Sequence, residues 1–326
     1  MNLVTRLIET GTMLLFVPFA ALAQSNYPIQ PVRAIVTTAA GGGLDTFARL
    51  LTRELSARAG QQFFIDNRPG AGTTIGATAV ARAKPDGYTL LLNTAAFAIT
   101  PAMFRKMPYD PVRDFAPITM GASTPNLLVV HPSVPVKSVK DLIALAKTRA
   151  AQGDPILYAS GGNGTNGHLA AALFVNMAQV RMTHVPYRSG SLGVIDLISG
   201  QVALMIDSLS SVMPQVRAGK LRALGVASAR PSAAAPGIPS INESGLPGYE
   251  SAQWYGMWAP AGTPPEIIAW LHRETTAVLR SAALRERLAA EGLDVVANTP
   301  DEFAAFIKAD IEKWTKVVKA ADIPLM

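Results

Sequence analysis

Cysteine is absent from the 326 residues. That excludes a disulfide scaffold, a thiolate zinc site, an iron–sulfur cluster and a cysteine nucleophile. Histidine occurs only four times, which speaks against a histidine-built metal site. Charge is scarce: 16% of residues are Asp, Glu, Lys or Arg, against about 25% in an ordinary soluble domain. The net charge of +6 comes from scattered Lys and Arg. No basic run interleaved with aromatics suggests a nucleic-acid groove; a mild positive field favours a small anion and no more. Long apolar runs are missing too. Met13–Leu22 contains Pro18 and falls short of the ~20 residues that a bilayer span needs.

That stretch reads instead as a targeting segment. Arg6 lies in a short leading region, the apolar stretch follows, and Ala21-Leu22-Ala23 has the form of a cleavage site. Residues 1–23 are expected to be a signal peptide, with a mature chain starting near Gln24. An exported chain without cysteine cannot carry a lipid on an N-terminal Cys. Confinement by an outer membrane, in the periplasm of a Gram-negative cell, is the expectation.

The rest alternates apolar β-branched runs with helical spacing. Val32–Thr38, Phe63–Asn67, Tyr88–Asn93, Leu127–His131, Ile156–Ser160, Val202–Asp207 and Leu221–Ser228 read as strands. Leu44, Phe47, Ala48, Leu51 and Leu55 repeat at helical spacing up to Gly60. Ser138 with Asp141 opens another helix. Thr263-Pro264-Pro265-Glu266 and Thr299-Pro300-Asp301-Glu302 each read as a Thr N-cap, Pro at the first helical position and Glu at the third. The fold class is therefore α/β with mostly parallel sheets. Pro- and Ser-rich segments at Pro132–Ser138 and Arg230–Pro247 bracket a middle domain, the second being the better linker. The expected division is residues 24–125 with 248–326 as one domain and 126–247 as the other.

Two strand–glycine–helix units carry the chemistry. One is Ala34 through Gly41-Gly42-Gly43-Leu44-Asp45. The other is Ile156 through Ser160-Gly161-Gly162-Asn163-Gly164-Thr165-Asn166-Gly167-His168. Glycine admits a ligand close to the backbone, and a helix start offers unpaired N–H donors and positive dipole charge. Each unit alone is equally a steric turn, and neither is a P-loop. As a pair they would grip one small anion from two sides of a cleft, as hinged binding proteins do. No G-x-S-x-G elbow or H-E-x-x-H appears. His168 and His184 read as structural donors, Asp207 as a strand-end residue that lines a loop edge or caps a turn, and the four tryptophans as core.

The ordered set Pro31-Val32-Arg33, Gly41-Gly42-Gly43-Leu44-Asp45, Asn67-Arg68-Pro69-Gly70-Ala71-Gly72, Pro85-Asp86-Gly87-Tyr88-Thr89-Leu90, Pro108-Tyr109-Asp110-Pro111, Gly162-Asn163-Gly164-Thr165, His184-Val185-Pro186-Tyr187, Gly219-Lys220-Leu221-Arg222-Ala223 and Pro260-Ala261-Gly262-Thr263-Pro264 resembles the solute receptors of tripartite tricarboxylate transporters, the Bug family. The resemblance spans the whole chain after the signal segment. It implies a two-domain periplasmic-binding-protein fold of type II kind, with the ligand cleft between the domains. It further implies a small di-, tri- or aromatic carboxylate as ligand, transporter membrane subunits or a sensor kinase as partners, and no cofactor, metal or catalysis; a monomer is the default for a diffusing receptor. By that likeness the carboxylate is held by Ala40, Gly41, Gly42 and Gly43, by Thr94, Ala95 and Ala96, and by Ser160, Asn163, Gly164, Thr165 and Asn166. Tyr187, Arg188, Ser189 and Asp207 line the second wall. Ala95-Ala96-Phe97 stand where the family often has polar residues, which points to a less polar distal pocket. The alternatives are a secreted α/β enzyme on a carboxylate or ester, and an orphan receptor that feeds a sensor.

Overall fold

The run Val32–Val36 forms β1, buried along nearly its whole length. It pairs in parallel with β2 (Phe63–Asn67) on one side and with β3 (Thr89–Thr94) on the other. Helix α1 (Gly43–Ala59) connects β1 to β2 and buries Leu44, Phe47, Ala48, Leu51 and Leu55. Gly60 ends it at φ +65°, a left-handed turn that glycine takes at least cost. Helices α2 (Thr74–Ala81) and α3 (Ala96–Met103) follow β2 and β3. This computed structural model describes residues 27–232 and 234–325; the expected signal segment lies outside them.

The 16-residue strand β4 (Phe115–Val130) then crosses from this first lobe into a second one. There the elements are α4 (Val139–Ala151), β5 (Ile156–Ser160), α5 (Asn166–Ala178), β6 (Met182–Pro186), α6 (Gly190–Ile198), β7 (Leu204–Ser208), α7 (Leu209–Arg217) and β8 (Arg222–Val226). The chain returns along β9 (Ala252–Pro260) and ends in α8 (Pro265–Leu279), α9 (Ala282–Ala290), β10 (Asp294–Val295) and α10 (Pro300–Ala320). One continuous sheet results, in the order β2-β1-β3-β9-β4-β7-β5-β6, with β8 and β10 also paired to β4. The α/β class holds, with one refinement of the sheet pattern. The outer strands of each lobe are parallel, whereas every pairing of β4 and β9 is antiparallel. Two strands that run between lobes in opposite directions can lie side by side only in that sense.

At the crossing, three segments are laced together. Asn126 N–H donates to Ser251 O, Ser251 N–H to Ala227 O, and Ala227 N–H to Asn126 O. The buried Asn126 amide donates to Asn166 Oδ1 at 2.7 Å and to Ser251 Oγ at 2.9 Å. Arg230–Pro247 is not a free linker: Val226 N–H donates to Pro239 O and Ile241 N–H to Val226 O, so it packs along β8.

Helix α10 straps the back of the molecule, touching α3 of the first lobe and α5 of the second. Its Thr299–Glu302 capping box forms as the sequence predicts, with Pro300 at the first position. The same expectation fails for α8: Thr263 donates its hydroxyl to Pro260 O, and the helix starts one residue later with Pro264 as cap. Trp254, Trp258 and Trp314 are fully buried. Phe97 packs on Trp258 with ring centroids 4.4 Å apart.

Candidate functional site

The first lobe contributes the turn between β1 and α1. Gly41 has φ +82°, and a Cβ on Gly43 would lie 2.5 Å from the Tyr255 hydroxyl. Glycine is therefore required at position 43 for Tyr255 to reach over the helix start. The first-turn N–H groups of α1 have no intrahelical acceptor. Asp45 already claims part of this end: its carboxylate accepts the Gly41 N–H at 2.9 Å, the Arg49 guanidinium at 2.8 and 3.1 Å, and the Asn67 amide at 3.0 Å. Burial raises the Asp45 carboxyl's pKa, but hydrogen bonds from Arg49, Gly41 and Asn67 outweigh it, and the group is held below the usual range. The Gly41 N–H is thereby spent, so the donors left for a ligand begin at Gly42.

The second lobe contributes the end of β7 and the start of α7. Asp207 Oδ1 accepts the Ser208 N–H at 2.7 Å, and Ser210 and Ser211 stand on the first turn of α7. Asn166, the first residue of α5, donates to Ala252 O at 3.2 Å and so ties the helix start to the crossing strand. Gln253 and Tyr255 project from β9 at the two-residue spacing that puts side chains on one face.

Together these groups enclose a cavity of about 330 Å³ lined by Thr38, Gly42, Gly43, Leu44 and Thr94 from the first lobe, Gln253 and Tyr255 from the crossing strand, and Asn166, Asp207, Ser208, Ser210 and Ser211 from the second. The size suits a small molecule. Two buried polar atoms of its wall, Thr38 Oγ1 and Gln253 Oε1, have no hydrogen-bond partner.

Five of the expected site residues line this cavity: Gly42, Gly43, Thr94, Asn166 and Asp207. The others sit around or behind it. Ala95 is fully buried and Phe97 belongs to the aromatic core, so the apolar run after Thr94 does not wall the cavity. Ser160 has no exposed surface; its Oγ lies 2.6 Å from His184 Nε2. Thr165 caps α5 and donates to Gly162 O at 2.8 Å. The Tyr187 hydroxyl turns back to Asp196 at 2.8 Å, and Ser189 caps α6. Arg188 and Asn163 are exposed, and Asn163 lines a different cavity. Ala40, Gly41, Ala96 and Gly164 flank the lining positions in sequence without lining the cavity themselves. Sequence reasoning missed Tyr255, Gln253 and the serines after Asp207. The available signal was the alternation of Gln253 and Tyr255 within an otherwise apolar strand.

The histidines read as isolated donors form a stack. His168 and His184 lie with ring centroids 3.9 Å apart, and Tyr158 stacks on His184 at 5.0 Å. His168 Nδ1 accepts the Gly164 N–H at 3.1 Å. Burial pushes both histidines down to about 4, with His184 adding to the effect on His168, so both are neutral at pH 7. The Ser160–His184 spacing is that of a nucleophile and its base, but Ser160 is inaccessible, so the pair braces the loop. These rings border a larger cavity of about 580 Å³ between α5 and residues 320–324, which receives nothing from the glycine turn of the first lobe.

Residues 47–323 match the family described as tripartite tricarboxylate transporter family receptor. The solved structure of R. palustris Rpa4515 with adipate is 37% identical, with a TM-score of 0.80 over 92% of this chain and 100% of that one. Periplasmic binding protein BugD is 33% identical, with a TM-score of 0.77 and coverage of 92% and 100%. MatC (Rpa3494) from Rhodopseudomonas palustris with bound malate is 32% identical, with a TM-score of 0.76 and coverage of 90% and 100%. The chain therefore belongs to the receptor family of the tripartite tricarboxylate transporters, periplasmic solute-binding proteins rather than enzymes.

Proposed function

We propose that the protein captures a small carboxylate between its lobes and hands it to a membrane transporter. One observation carries the reading: the interlobe cavity combines the α1 helix start with hydroxyls from both lobes, and one of these, the buried Thr38 Oγ1, lacks a partner and can donate to a carboxylate. A buried polar group without a partner costs about 1–3 kcal/mol, and a bound ligand that pairs with it recovers part of that cost. The adipate and malate in the names of two related structures support a dicarboxylate. The donors are neutral: the N–H groups at Gly42 and Gly43, the hydroxyls of Thr38, Thr94 and Tyr255, and the amides of Asn166 and Gln253.

The same reading assigns residues 24–125 with 248–326 to one closing unit and 126–247 to the other. The chain acts as a monomer, and residues 1–23 direct export and are removed. A sensor kinase in place of a transporter is the second possible recipient. A thermal-shift screen across mono-, di-, tri- and aromatic carboxylates tests the reading. A ligand at 100 times its Kd stabilises by about 2.7 kcal/mol, a readable rise in melting midpoint. Absence of a shift with every acid, against a clear shift with an uncharged or cationic solute, would sink it. Mass measurement of the chain from the periplasmic fraction tests removal of the leading segment.

A further inference from the structure

The interlobe cavity is chemically lopsided. Its first-lobe end offers donors alone, whereas its second-lobe end sets a carboxylate, Asp207, among the hydroxyls of Ser208, Ser210 and Ser211, two of which already donate within the cluster, Ser210 to Ser208 and Ser211 to Asp207. None of the residues lining it is Lys, Arg or His. Among the described residues Asp207 makes no ion pair.

This carboxylate is built into its place. Oδ1 accepts the Ser208 N–H at 2.7 Å, and Oδ2 lies 3.5 Å from the Ser211 hydroxyl. A Cβ on Gly190, the first residue of α6, would sit 2.8 Å from Oδ2, and one on Gly167 would come 3.9 Å from the carboxyl carbon. The first turns of α5, α6 and α7 thus crowd one carboxyl group, with glycine where a side chain would intrude. They bring no ionisable side chain to it; across the cavity the titratable group that faces it is Tyr255. Burial without a counter-cation pushes the Asp207 carboxyl up, and burial together with the Asp207 charge pushes the Tyr255 phenol up to about 12.

A ligand with a bare carboxylate at each end would set one of them against Asp207. Two carboxylates sharing a dry site do not both stay ionised; one takes up a proton. Resting on the carboxylate-receptor reading, we propose that Asp207 determines specificity at the second-lobe end. It selects ligands whose far end donates a hydrogen: a carboxyl that brings its own proton, a hydroxyl or an ammonium. A far end that only accepts is rejected.

Calorimetric titration at pH 5.5 and pH 8, in buffers of different ionisation enthalpy, tests this with four probes: adipate, 6-hydroxyhexanoate, 6-aminohexanoate and monomethyl adipate. We expect monomethyl adipate, whose far end only accepts, to bind at pH 8 about tenfold or more weakly than the hydroxy and amino acids. Adipate takes up a proton on binding and loses about tenfold in affinity per pH unit above the Asp207 pKa. The hydroxy and amino probes take up none, which separates the sources of the donated hydrogen. Asp207→Asn erases both the discrimination and the proton uptake. Adipate binding without proton uptake and with the same affinity at both pH values would overturn the proposal, as would monomethyl adipate binding as tightly as the hydroxy acid.

A ligand-free comparison keeps this separate from the carboxylate reading. The ionised form of Asp207 is disfavoured in the folded state, so its unfavourable contribution is absent well below the unfolded carboxyl pKa and full above the folded one. Asp207→Asn therefore raises the melting midpoint at pH 8 and leaves it unchanged at pH 3. If no probe binds but this shift appears, the carboxylate reading fails for acids of this length while the uncompensated Asp207 charge stands. A lower midpoint for the variant at pH 8 overturns the inference.

Discussion

Thr38 Oγ1 is the group where binding and stability should part company. Replacing Thr38 by Val keeps the shape and removes a buried hydroxyl that has no partner. In the ligand-free protein this substitution is neutral or stabilising by up to about 1–2 kcal/mol, because an unpaired buried hydroxyl is a cost. With ligand, the same variant loses about tenfold in affinity, one hydrogen bond's worth. Melting midpoints with and without a saturating carboxylate check both halves. Gly43 offers a steric counterpart. Gly43→Ala drives a methyl into the Tyr255 hydroxyl, so it weakens binding, and Tyr255→Phe in the same chain restores part of the loss. A titration of the two single variants and the double variant measures that coupling. At this scale the sequence was half legible. Gly42 and Gly43 were readable because a glycine turn before a helix has a physical purpose. Tyr255 and Gln253 were not, because they reach the cavity from a strand distant in sequence, and only the sheet order places β9 next to β3. Ser160 misled in the opposite sense: a short hydroxyl at a strand end pointed to a ligand, but its partner is His184.

Among the elements, every strand read from an apolar run has its counterpart in β1–β5, β7 or β8, whereas the helices α2, α3, α6, α7 and α9 carry no cap or periodicity that was read. The α10 capping box satisfies two orphan donors reciprocally, and Thr299→Ala should cost about 1 kcal/mol, visible in chemical denaturation as a lower midpoint at unchanged slope. Trp314→Ala on the same helix should cost about 3–5 kcal/mol. Strand β4 was read only at its far end, because Pro117, Gly121 and Pro125 break the apolar run. The sheet absorbs the interruption with register shifts between Pro117 and Thr119 and between Met120 and Ala122, the kind of irregularity that lets proline sit in a strand. The His168–His184 stack behind α5 was not legible either, since its two members lie on different elements. It makes a pH prediction. Both rings have folded-state values of about 4 against 6.5 unperturbed. The unfolded chain binds protons first, so the stability they contribute is full above pH 6.5 and is lost as pH falls through 4. The melting midpoint of the wild type should fall over that window more steeply than that of His184→Gln.

At the scale of the whole molecule, the crossing strands β4 and β9 set what can move. They are held at Asn126, Ala227 and Ser251 by backbone bonds, while α10 keeps the backs of the lobes together. The cavity mouth is the side left free to open and close, so a saturating carboxylate should lower the radius of gyration in solution scattering. The central claim is that the ligand sits between the lobes and not in the larger cavity behind α5. Calorimetric titration of one carboxylate that stabilises the wild type, repeated on Gln253→Leu and on Asn176→Leu, tests it most directly. The account predicts one site per chain, with affinity reduced about tenfold or more by Gln253→Leu and unchanged by Asn176→Leu, because Asn176 lines the outer cavity and takes no part in the interlobe one. Binding untouched by Gln253→Leu and lost in Asn176→Leu would contradict it.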